Sequence, residues 1–312
     1  MEKLFHQIEQ VAFVVSDLEK AIAIVTDELG IDPVIQVNFG RKKGDEAFNK
    51  QAASIENVYL DGRYTGSYAI RLGICDLKGG MQLELIEPLE GPSIFQQYLE
   101  EHGPGGQHLA VDNGCSYPEM IGRMGAAGNP LGQVAVVDGQ EDCAFVKHTC
   151  TLGAALELHQ RGPDWAPPSG LPPMVHADRT KRPAALTDTV LGISIASEEP
   201  ERARQLLEER YGIGPWTSAE ENGLRVWRCK ALNTELELLA PLSGDHPTAA
   251  WLRRNKGPGI YRVTMNCLCG LEEAVELFRA DGRTVTYEDA LHTAAEIDYT
   301  EILGAYLRLR KN

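Results

Sequence analysis

The segment QLELIEPLEG, residues 82–91, recurs later in the chain as ELELLAPLSG, residues 235–244. Both copies begin with alternating polar and apolar positions, which is typical of a β-strand with one buried face. A helix-like segment and a Gly-Pro-Gly turn follow in each copy, and then a short apolar strand, HLAV at 108–111 or RVTM at 262–265. This conserved order indicates that the chain contains two copies of one structural unit.

The repeat extends to both ends of each copy. TLGAALELHQ at 151–160 matches ILGAYLRLRK at 302–311, and each copy starts with an apolar strand followed by a helix. Within each copy, the order of one strand, one helix and three strands occurs twice, which gives four βαβββ modules in the chain. We therefore predict an α+β fold with two domains, in which curved, cup-shaped mixed sheets carry short helices on their outer faces.

A proline-rich segment separates the two copies. Residues 161–183 read RGPDWAPPSGLPPMVHADRTKRP and include five prolines between positions 163 and 173. Proline cannot donate a backbone hydrogen bond or continue a helix, so this segment predicts an extended linker. The chain of 312 residues is about twice a usual domain of ~150 residues, and we divide it into domains at 1–160 and 184–312.

The composition limits the partners of this protein. Its 30 Lys and Arg residues against 45 Asp and Glu residues give a net charge of −15, which disfavours nucleic acid and anionic membranes as partners. No apolar run approaches the ~18 to 20 residues of a membrane-spanning helix, and no secretory signal is visible at the N-terminus. The seven cysteines form no CxxC pair. Together these features predict a cytoplasmic protein with reduced thiols.

The paired βαβββ modules and three sequence phrases together resemble the vicinal oxygen chelate superfamily. The phrases are the LEL strand above, GPGGQHLAV at 103–111 and LGAALELHQ at 152–160. Members of the superfamily include glyoxalase I, extradiol dioxygenases, bleomycin-resistance proteins and methylmalonyl-CoA epimerase, and the phrases are most similar to those of the epimerase. The resemblance implies two glyoxalase-like domains as a tandem duplication. It also implies a monomer with an internal pseudo-dimer, or a homodimer.

The resemblance implies one divalent metal ion in the first cup, with one ligand from each of four strands. The matching positions are Gln10, where the family usually has His, and Glu84, His108 and Glu157. Two carboxylates and one imidazole would neutralise a divalent cation, and such donors suit Mn, Co, Fe, Ni or Mg, with Zn also compatible. The residues themselves leave structural alternatives open: an ion pair at Glu84, a hydrogen-bonded core histidine at His108 and a structural amide at Gln10.

The second copy lacks this ligand set. The aligned positions are Val190, Glu237, Arg262 and Arg308. Valine offers no ligand atom and arginine has no lone pair to offer, so the resemblance implies that 184–312 is a degenerate domain without a metal. We predict that the two arginines converge on Glu237 as its counter-charge.

The acidic residue that the epimerase family carries on an early strand, where it would move a proton, has no counterpart in SYAIRL, 67–72. We take Tyr68 and Lys147 as catalytic candidates, and Arg71 and His148 as substrate-binding candidates. The first copy also carries a polar, Gly-rich insertion at about 36–66, typical of a lid or loop. Its basic cluster, Arg41 to Lys43, could hold a substrate phosphate or carboxylate, or could be a solvated loop.

These observations predict a metal-dependent isomerase or epimerase that removes a proton next to a carbonyl group. Its substrate would be a small molecule or an acyl-CoA. An extradiol-type dioxygenase and a metal-free small-molecule binding protein of the same fold are the alternatives.

Overall fold

The computed structural model describes residues 3–112, 114–139, 141–147, 153–161, 173–230, 232–289 and 291–311. Four βαβββ modules follow one another along the chain, as predicted, and the α+β fold is confirmed. None of the helices within these ranges is long and apolar enough to cross a membrane.

The first half contains two of these modules. The first consists of β1 (Ile8–Val14), α1 (Leu18–Ala23), β2 (Val34–Gly40), β5 (Ala69–Asp76) and β6 (Gln82–Glu90). Helix α1 continues as a π-helical turn (Ile24–Glu28). An insertion between β2 and β5 contains α2 (Glu46–Gln51), β3 (Ile55–Leu60) and β4 (Arg63–Gly66). Helix α3 (Ile94–His102) leads to the second module, which consists of β7 (Gly105–Val111), α4 (Tyr117–Ala126), β8 (Leu131–Val137), β9 (Glu141–Val146) and β10 (Ala155–Arg161).

The second half repeats this order after a short strand, β11 (Met174–Val175). The third module consists of β12 (Val190–Ala196), α5 (Pro200–Tyr211), β13 (Thr217–Glu221), β14 (Leu224–Cys229) and β15 (Glu235–Pro241). Helix α6 (Pro247–Asn255) precedes the fourth module, which consists of β16 (Gly259–Asn266), α7 (Leu271–Ala280), β17 (Val285–Tyr287), β18 (Ala294–Tyr299) and β19 (Ala305–Arg310).

Each half forms one mixed eight-stranded sheet with the same pairing. In the first half the strand order is β2-β5-β6-β1-β7-β10-β9-β8, with β1 parallel to β6 and antiparallel to β7. In the second half the order is β13-β14-β15-β12-β16-β19-β18-β17. The first strand of each domain therefore lies at the centre of its sheet, where a ligand on it would meet ligands from both modules.

The central strands are buried on both faces. In β1, Val11 and Phe13 pack into the core that the two halves share, whereas Ala12 and Val14 pack on the opposite face. Because successive residues of a strand point to opposite faces, this strand is apolar at almost every position. The face that carries Ala12 lines the concave side of the first sheet.

The insertion is largely regular structure rather than a loop, which corrects the sequence prediction. Strands β3 and β4 form a hairpin whose turn residues, Asp61 and Gly62, both have positive φ, as an Asp-Gly turn of this type requires. Strand β3 pairs with β8, and a bridge between Phe39 and Ala53 joins the start of the insertion to β2. The insertion therefore connects the two outer edges of the first sheet.

The described end of the linker packs against both halves instead of forming an extended spacer. Strand β11 pairs with β2, and Arg179 contacts Asp32 at 3.1 Å. Arg182, whose side chain is 4% exposed, pairs with Asp281 in the second half. The segment 162–172 lies outside the described residues, and the domain boundaries at 160 and 184 stay a prediction.

The two halves contact each other through reciprocal turns. A Cβ atom built on Gly153 would lie 2.0 Å from the carbonyl oxygen of Pro258, and one built on Gly304 would lie 1.8 Å from that of Pro104. The Gly-Ala turn of each half, at Gly153 or Gly304, thus rests on the Gly-Pro-Gly turn of the other. Such reciprocity is the pattern of a two-fold interface, here formed within one chain.

Candidate metal centre

Three potential ligands lie on three strands in the middle of the first sheet and on the same face of it. Glu84 is on β6, His108 on β7 and Glu157 on β10, and all three line one pocket. Their apolar neighbours in each strand point into the shared core. The two-residue period of the strands therefore delivers polar side chains to the pocket and leucines to the core.

A small residue allows two of the ligands to meet across the central strand. Ala12 of β1 is the register partner of both Glu84 and His108. Its methyl side chain leaves the space above β1 open, and His108 Nε2 reaches Glu84 Oε2 at 3.4 Å. Two side chains on strands separated by a third strand could not approach so closely over a large residue.

The three side chains form a compact group of donors. His108 Nε2 lies 3.0 Å from Glu157 Oε2, and the three candidate ligand atoms lie within 4.8 Å of one another. Nε2 is buried and, among the described residues, has no hydrogen bond of good geometry. The side-chain carbonyl of Gln107 lies 2.6 Å from Nδ1, where it can accept the ring proton. That tautomer leaves the Nε2 lone pair for a metal ion.

The three side chains shift one another's pKa values. Burial raises the pKa of Glu84. Burial would also raise the pKa of Glu157, but His108 outweighs it and lowers that pKa to about 2. Conversely, burial would lower the pKa of His108, yet Glu157 and Glu84 raise it to about 9. A divalent cation would balance both carboxylates with a neutral imidazole, so the donor set fits such an ion.

Gln10 lies on the pocket face of β1, two residues before Ala12. Its amide nitrogen lies 3.5 Å from Oε1 of Gln82, whose own amide donates to Asp76 at 2.8 Å. Gln10 thus lines the same pocket as the three clustered residues, and its role as a fourth ligand stays a prediction.

Tyr68 lies in the pocket, as the catalytic prediction requires. Its hydroxyl oxygen accepts a hydrogen bond from Gln133 Nε2 at 3.1 Å. Burial raises the pKa of Tyr68 well above its usual value. The phenol therefore stays protonated near neutral pH and can donate its proton but cannot serve as a base.

The other predicted residues are not brought to this site. Arg71 alternates with the pocket-lining Ile70 and Leu72 and points away from the pocket, where its guanidinium pairs with carboxylates of two neighbouring elements, Glu19 and Glu87. Lys147 follows β9 and contacts Asp61 in the β3–β4 turn at 2.5 Å. Neither is among the residues that line the pocket, and their roles stay a prediction. His148 lies outside the described residues.

The sequence prediction missed several polar residues that line the pocket. His159 lies two residues after Glu157, and Gln82 two residues before Glu84, so strand periodicity alone could have indicated both. Cys143, on β9, donates from its thiol to Glu157 Oε1 at 3.2 Å. This bond holds one carboxylate oxygen while the other faces His108.

The second half carries an ion-pair network at the equivalent place. Ser194 is the register partner of both Glu237 and Arg262, as Ala12 is of Glu84 and His108. Glu237 accepts hydrogen bonds from Ser194 at 2.6 Å, from Arg262 at 3.2 Å and from Arg228 at 2.9 Å. Burial alone would raise the pKa of Glu237, but Arg262 and the other polar neighbours lower it to about 2.

Two details of the sequence alignment are corrected by this geometry. The register makes Gly192, not Val190, the counterpart of Gln10. Arg262 contacts Glu237 as predicted, but Arg308 pairs with Glu288. Arg228 supplies the second guanidinium at Glu237.

The sheet order and the concave pocket define a class of protein in which two βαβββ modules form one cup. Residues 9–146 match the family model for the Glyoxalase/Bleomycin resistance protein/Dioxygenase superfamily. This part of the chain is therefore similar to that superfamily, the vicinal oxygen chelate class, which includes enzymes.

Individual relatives match the chain in part or in fold. Mitochondrial methylmalonyl-CoA epimerase of Bos taurus is 33% identical over 73 residues, which cover 23% of this chain and 42% of the bovine enzyme. A mutant of 4-hydroxymandelate synthase from Streptomyces coelicolor aligns over 98% of this chain and 92% of its own, with a TM-score of 0.61 and 12% identity, and so shares the fold. Methylmalonyl-CoA epimerase from Mycobacterium tuberculosis aligns over 40% of this chain and 89% of its own, with a TM-score of 0.35 and 18% identity.

Proposed function

We propose that the protein is a divalent-metal-dependent isomerase or epimerase. It would remove a proton from a carbon next to a carbonyl group of a small molecule or an acyl-CoA and return it to give the isomer. The observation that carries this proposal is the convergence of Glu84, His108 and Glu157 in one buried group that lines a pocket. The bovine epimerase, which matches part of the chain, lends support.

The pocket residues would have different roles in holding the ion. Glu84, His108 and Glu157 would bind it, Gln107 would fix the histidine tautomer, and Cys143 would orient Glu157. When bound, a divalent cation supplies Lewis-acid polarisation of a carbonyl, which lowers the cost of removing the neighbouring proton.

The surrounding side chains would control protons and water. Tyr68, held by Gln133, can donate a hydrogen bond to an oxygen atom on which negative charge develops. Phe95 and Phe145 pack around His108, with ring centroids 6.1 and 5.2 Å from the imidazole. These rings keep water from the deep side of the group, which strengthens the electrostatic interactions within it.

Metal binding is the first test. A calorimetric titration of the metal-free protein with Mn²⁺ should show one binding site for the ion. Glu157→Gln should weaken binding by at least about 10- to 100-fold, since even residues that only support metal ligands have effects of this size. Glu100→Gln, on the exposed face of α3, makes the same chemical change away from the pocket and should bind as the wild type does. Equal affinities in all three proteins would contradict the proposed site.

The reaction class needs a second experiment. Incubation of the Mn²⁺-loaded protein with acyl thioesters and α-hydroxyketones in D₂O should give deuterium incorporation at the carbon next to the carbonyl group. Oxygen consumption with a catechol would instead indicate a dioxygenase, although that chemistry commonly uses two histidines and one carboxylate. Ligand binding without Mn²⁺ binding or deuterium exchange would indicate a metal-free binding protein.

A further inference from the structure

We infer that the pocket accepts an uncharged small molecule with an apolar group and discriminates against anionic ones, including an acyl-CoA with a free carboxylate. The inference rests on the proposed function for the reacting end of the substrate. For the rest of the substrate, the inference rests on the apolar pocket wall and on the charged side chains that line the pocket.

The wall opposite the candidate ligands is apolar and is built partly by the insertion. Ile55 comes from β3 of the insertion, which the second half lacks, and it lines the pocket with Val37 and Phe39 of β2 and with aliphatic residues of β5. The pocket has a volume of about 680 Å³, within the range of sites that enclose a small organic ligand. Because Phe39 lies at the bridge to Ala53, the insertion holds this wall in place through the backbone.

The charged groups in the pocket are mainly acidic. Glu9 and Asp76 join Glu84 and Glu157 among the lining residues, against the two imidazoles of His108 and His159. A divalent ion would offset two of these four carboxylates. Among the residues that the structure describes, the lining contains neither lysine nor arginine.

Basic residues just outside this lining pair with carboxylates away from it. Lys78 lies in the loop between β5 and β6, beside the lining residues Leu77 and Gly80, but its ammonium contacts Asp188 at 2.6 Å and its side chain is 76% exposed. In the basic cluster of the insertion, Lys42 pairs with Asp45 at 3.3 Å. An anionic group in the pocket would therefore meet more carboxylates than cationic side chains, which discriminate against it by like-charge repulsion.

Two fluorescent probes of similar shape test this discrimination without a metal. N-phenyl-1-naphthylamine is uncharged, and 1-anilino-8-naphthalenesulfonate differs from it by one sulfonate. Both should be titrated into the metal-free and the Mn²⁺-loaded wild-type protein. We expect the uncharged probe to bind at least 10-fold more tightly in both forms. Equal affinities, or tighter binding of the sulfonate, would overturn the inference.

Matched variants show whether the probes report on this pocket. Ile55→Lys places a positive charge on the wall and should reverse the preference toward the sulfonate. Tyr59→Lys adds the same charge at an exposed position of the same strand and should leave the preference unchanged. If Ile55→Lys does not fold, as judged by circular dichroism, Val37→Lys at a half-buried wall position makes the same test. An unchanged preference in a folded wall variant would overturn the inference.

The outcomes separate this inference from the proposed function. Loss of Mn²⁺ binding with intact probe discrimination would contradict the metal-dependent reaction and leave the pocket preference standing. Intact Mn²⁺ binding with no probe discrimination would contradict the pocket preference alone.

Discussion

At the scale of single residues, the two halves balance the charge of a buried glutamate in different ways. Each places a buried glutamate on the strand that the repeat phrase forms, Glu84 in the first half and Glu237 in the second. Glu237 is balanced by guanidinium groups fixed in the protein, whereas Glu84 shares one imidazole with Glu157. A buried charge must be paired or must bind a cation, so we expect a metal ion at Glu84 and none at Glu237.

This difference predicts opposite effects of the same substitution. Glu84→Gln removes one of two neighbouring carboxylates, so we expect the metal-free protein to keep its stability within about 1 kcal/mol or to gain some. Mn²⁺ at 100 times its Kd should stabilise the wild type by about 2.7 kcal/mol and this variant far less. Urea unfolding with and without Mn²⁺ measures both effects. A large loss of stability in the metal-free variant would favour a structural ion pair at Glu84.

Glu237→Gln is the matched change in the second half. It leaves Arg262, whose side chain is 8% exposed, without one of its partners, and should cost about 3 to 5 kcal/mol at neutral pH. Mn²⁺ affinity should not change. A metal-dependent effect of this variant would contradict the assignment of the metal to the first half alone.

The stability contribution of Glu237 should depend on pH in a defined direction. Its pKa falls from the ordinary 4.5 to about 2 in the folded protein, which corresponds to about 3 kcal/mol. This contribution is complete above pH 4.5 and is lost as the pH falls toward 2. The difference in unfolding free energy between wild type and Glu237→Gln should therefore shrink between pH 5 and pH 3. A difference that stays constant over this range would show that Glu237 is not ionised through these contacts.

At the scale of secondary structure elements, strand periodicity and turns account for both the pocket and the contact between halves. Leu83, Leu85 and Leu109 point into the shared core, while Glu84 and His108 point into the pocket. This arrangement was predictable because a strand alternates its faces. The β3–β4 hairpin was also encoded, in the Asp61-Gly62 pair, but the polar composition of the insertion obscured it.

The reciprocal turns predict which glycines hold the halves together. Gly304 and Gly62 both have positive φ, 64° and 75°. Replacing either by alanine should therefore lower the free energy of unfolding by about 1 to 2 kcal/mol through backbone strain alone. At Gly304 the new methyl group would also collide with the Pro104 carbonyl, whereas around Gly62 nothing lies within 4 Å. Urea unfolding should therefore show a loss for Gly304→Ala that exceeds that for Gly62→Ala by at least about 2 kcal/mol. Equal losses of unfolding free energy in the two variants would contradict a close contact between the turns.

At the scale of the whole molecule, one continuous hydrophobic cluster joins the two halves. It contains Val11 and Leu109 of the first sheet and Ile193 and Val263 of the second. Polar contacts cross the same boundary, since Glu28 accepts from Arg283 at 2.8 Å and from Tyr299 at 2.9 Å. The second half thus supports the back of the sheet whose other face carries the candidate ligands.

A shared core predicts that the halves unfold together. Scanning calorimetry of the full chain should show one cooperative transition, because neither sheet can lose its packing without exposing the other. Glu237→Gln, although it lies far from the first cup in sequence, should lower the temperature of the whole transition. Two separate transitions, with only one of them shifted by this variant, would contradict a shared core.

The sequence by itself determined the four modules, the α+β fold and the face of each strand, because hydrophobic periodicity and repeated turns are local properties. It also indicated Glu84, His108 and Glu157, since the resemblance placed each on a strand of known parity. Only the tertiary structure decided that Ala12 leaves room for these three side chains to meet, that Arg71 and Lys147 face elsewhere, and that the insertion closes the pocket wall. These features depend on strand register and on contacts between residues far apart in the chain, which no local pattern records.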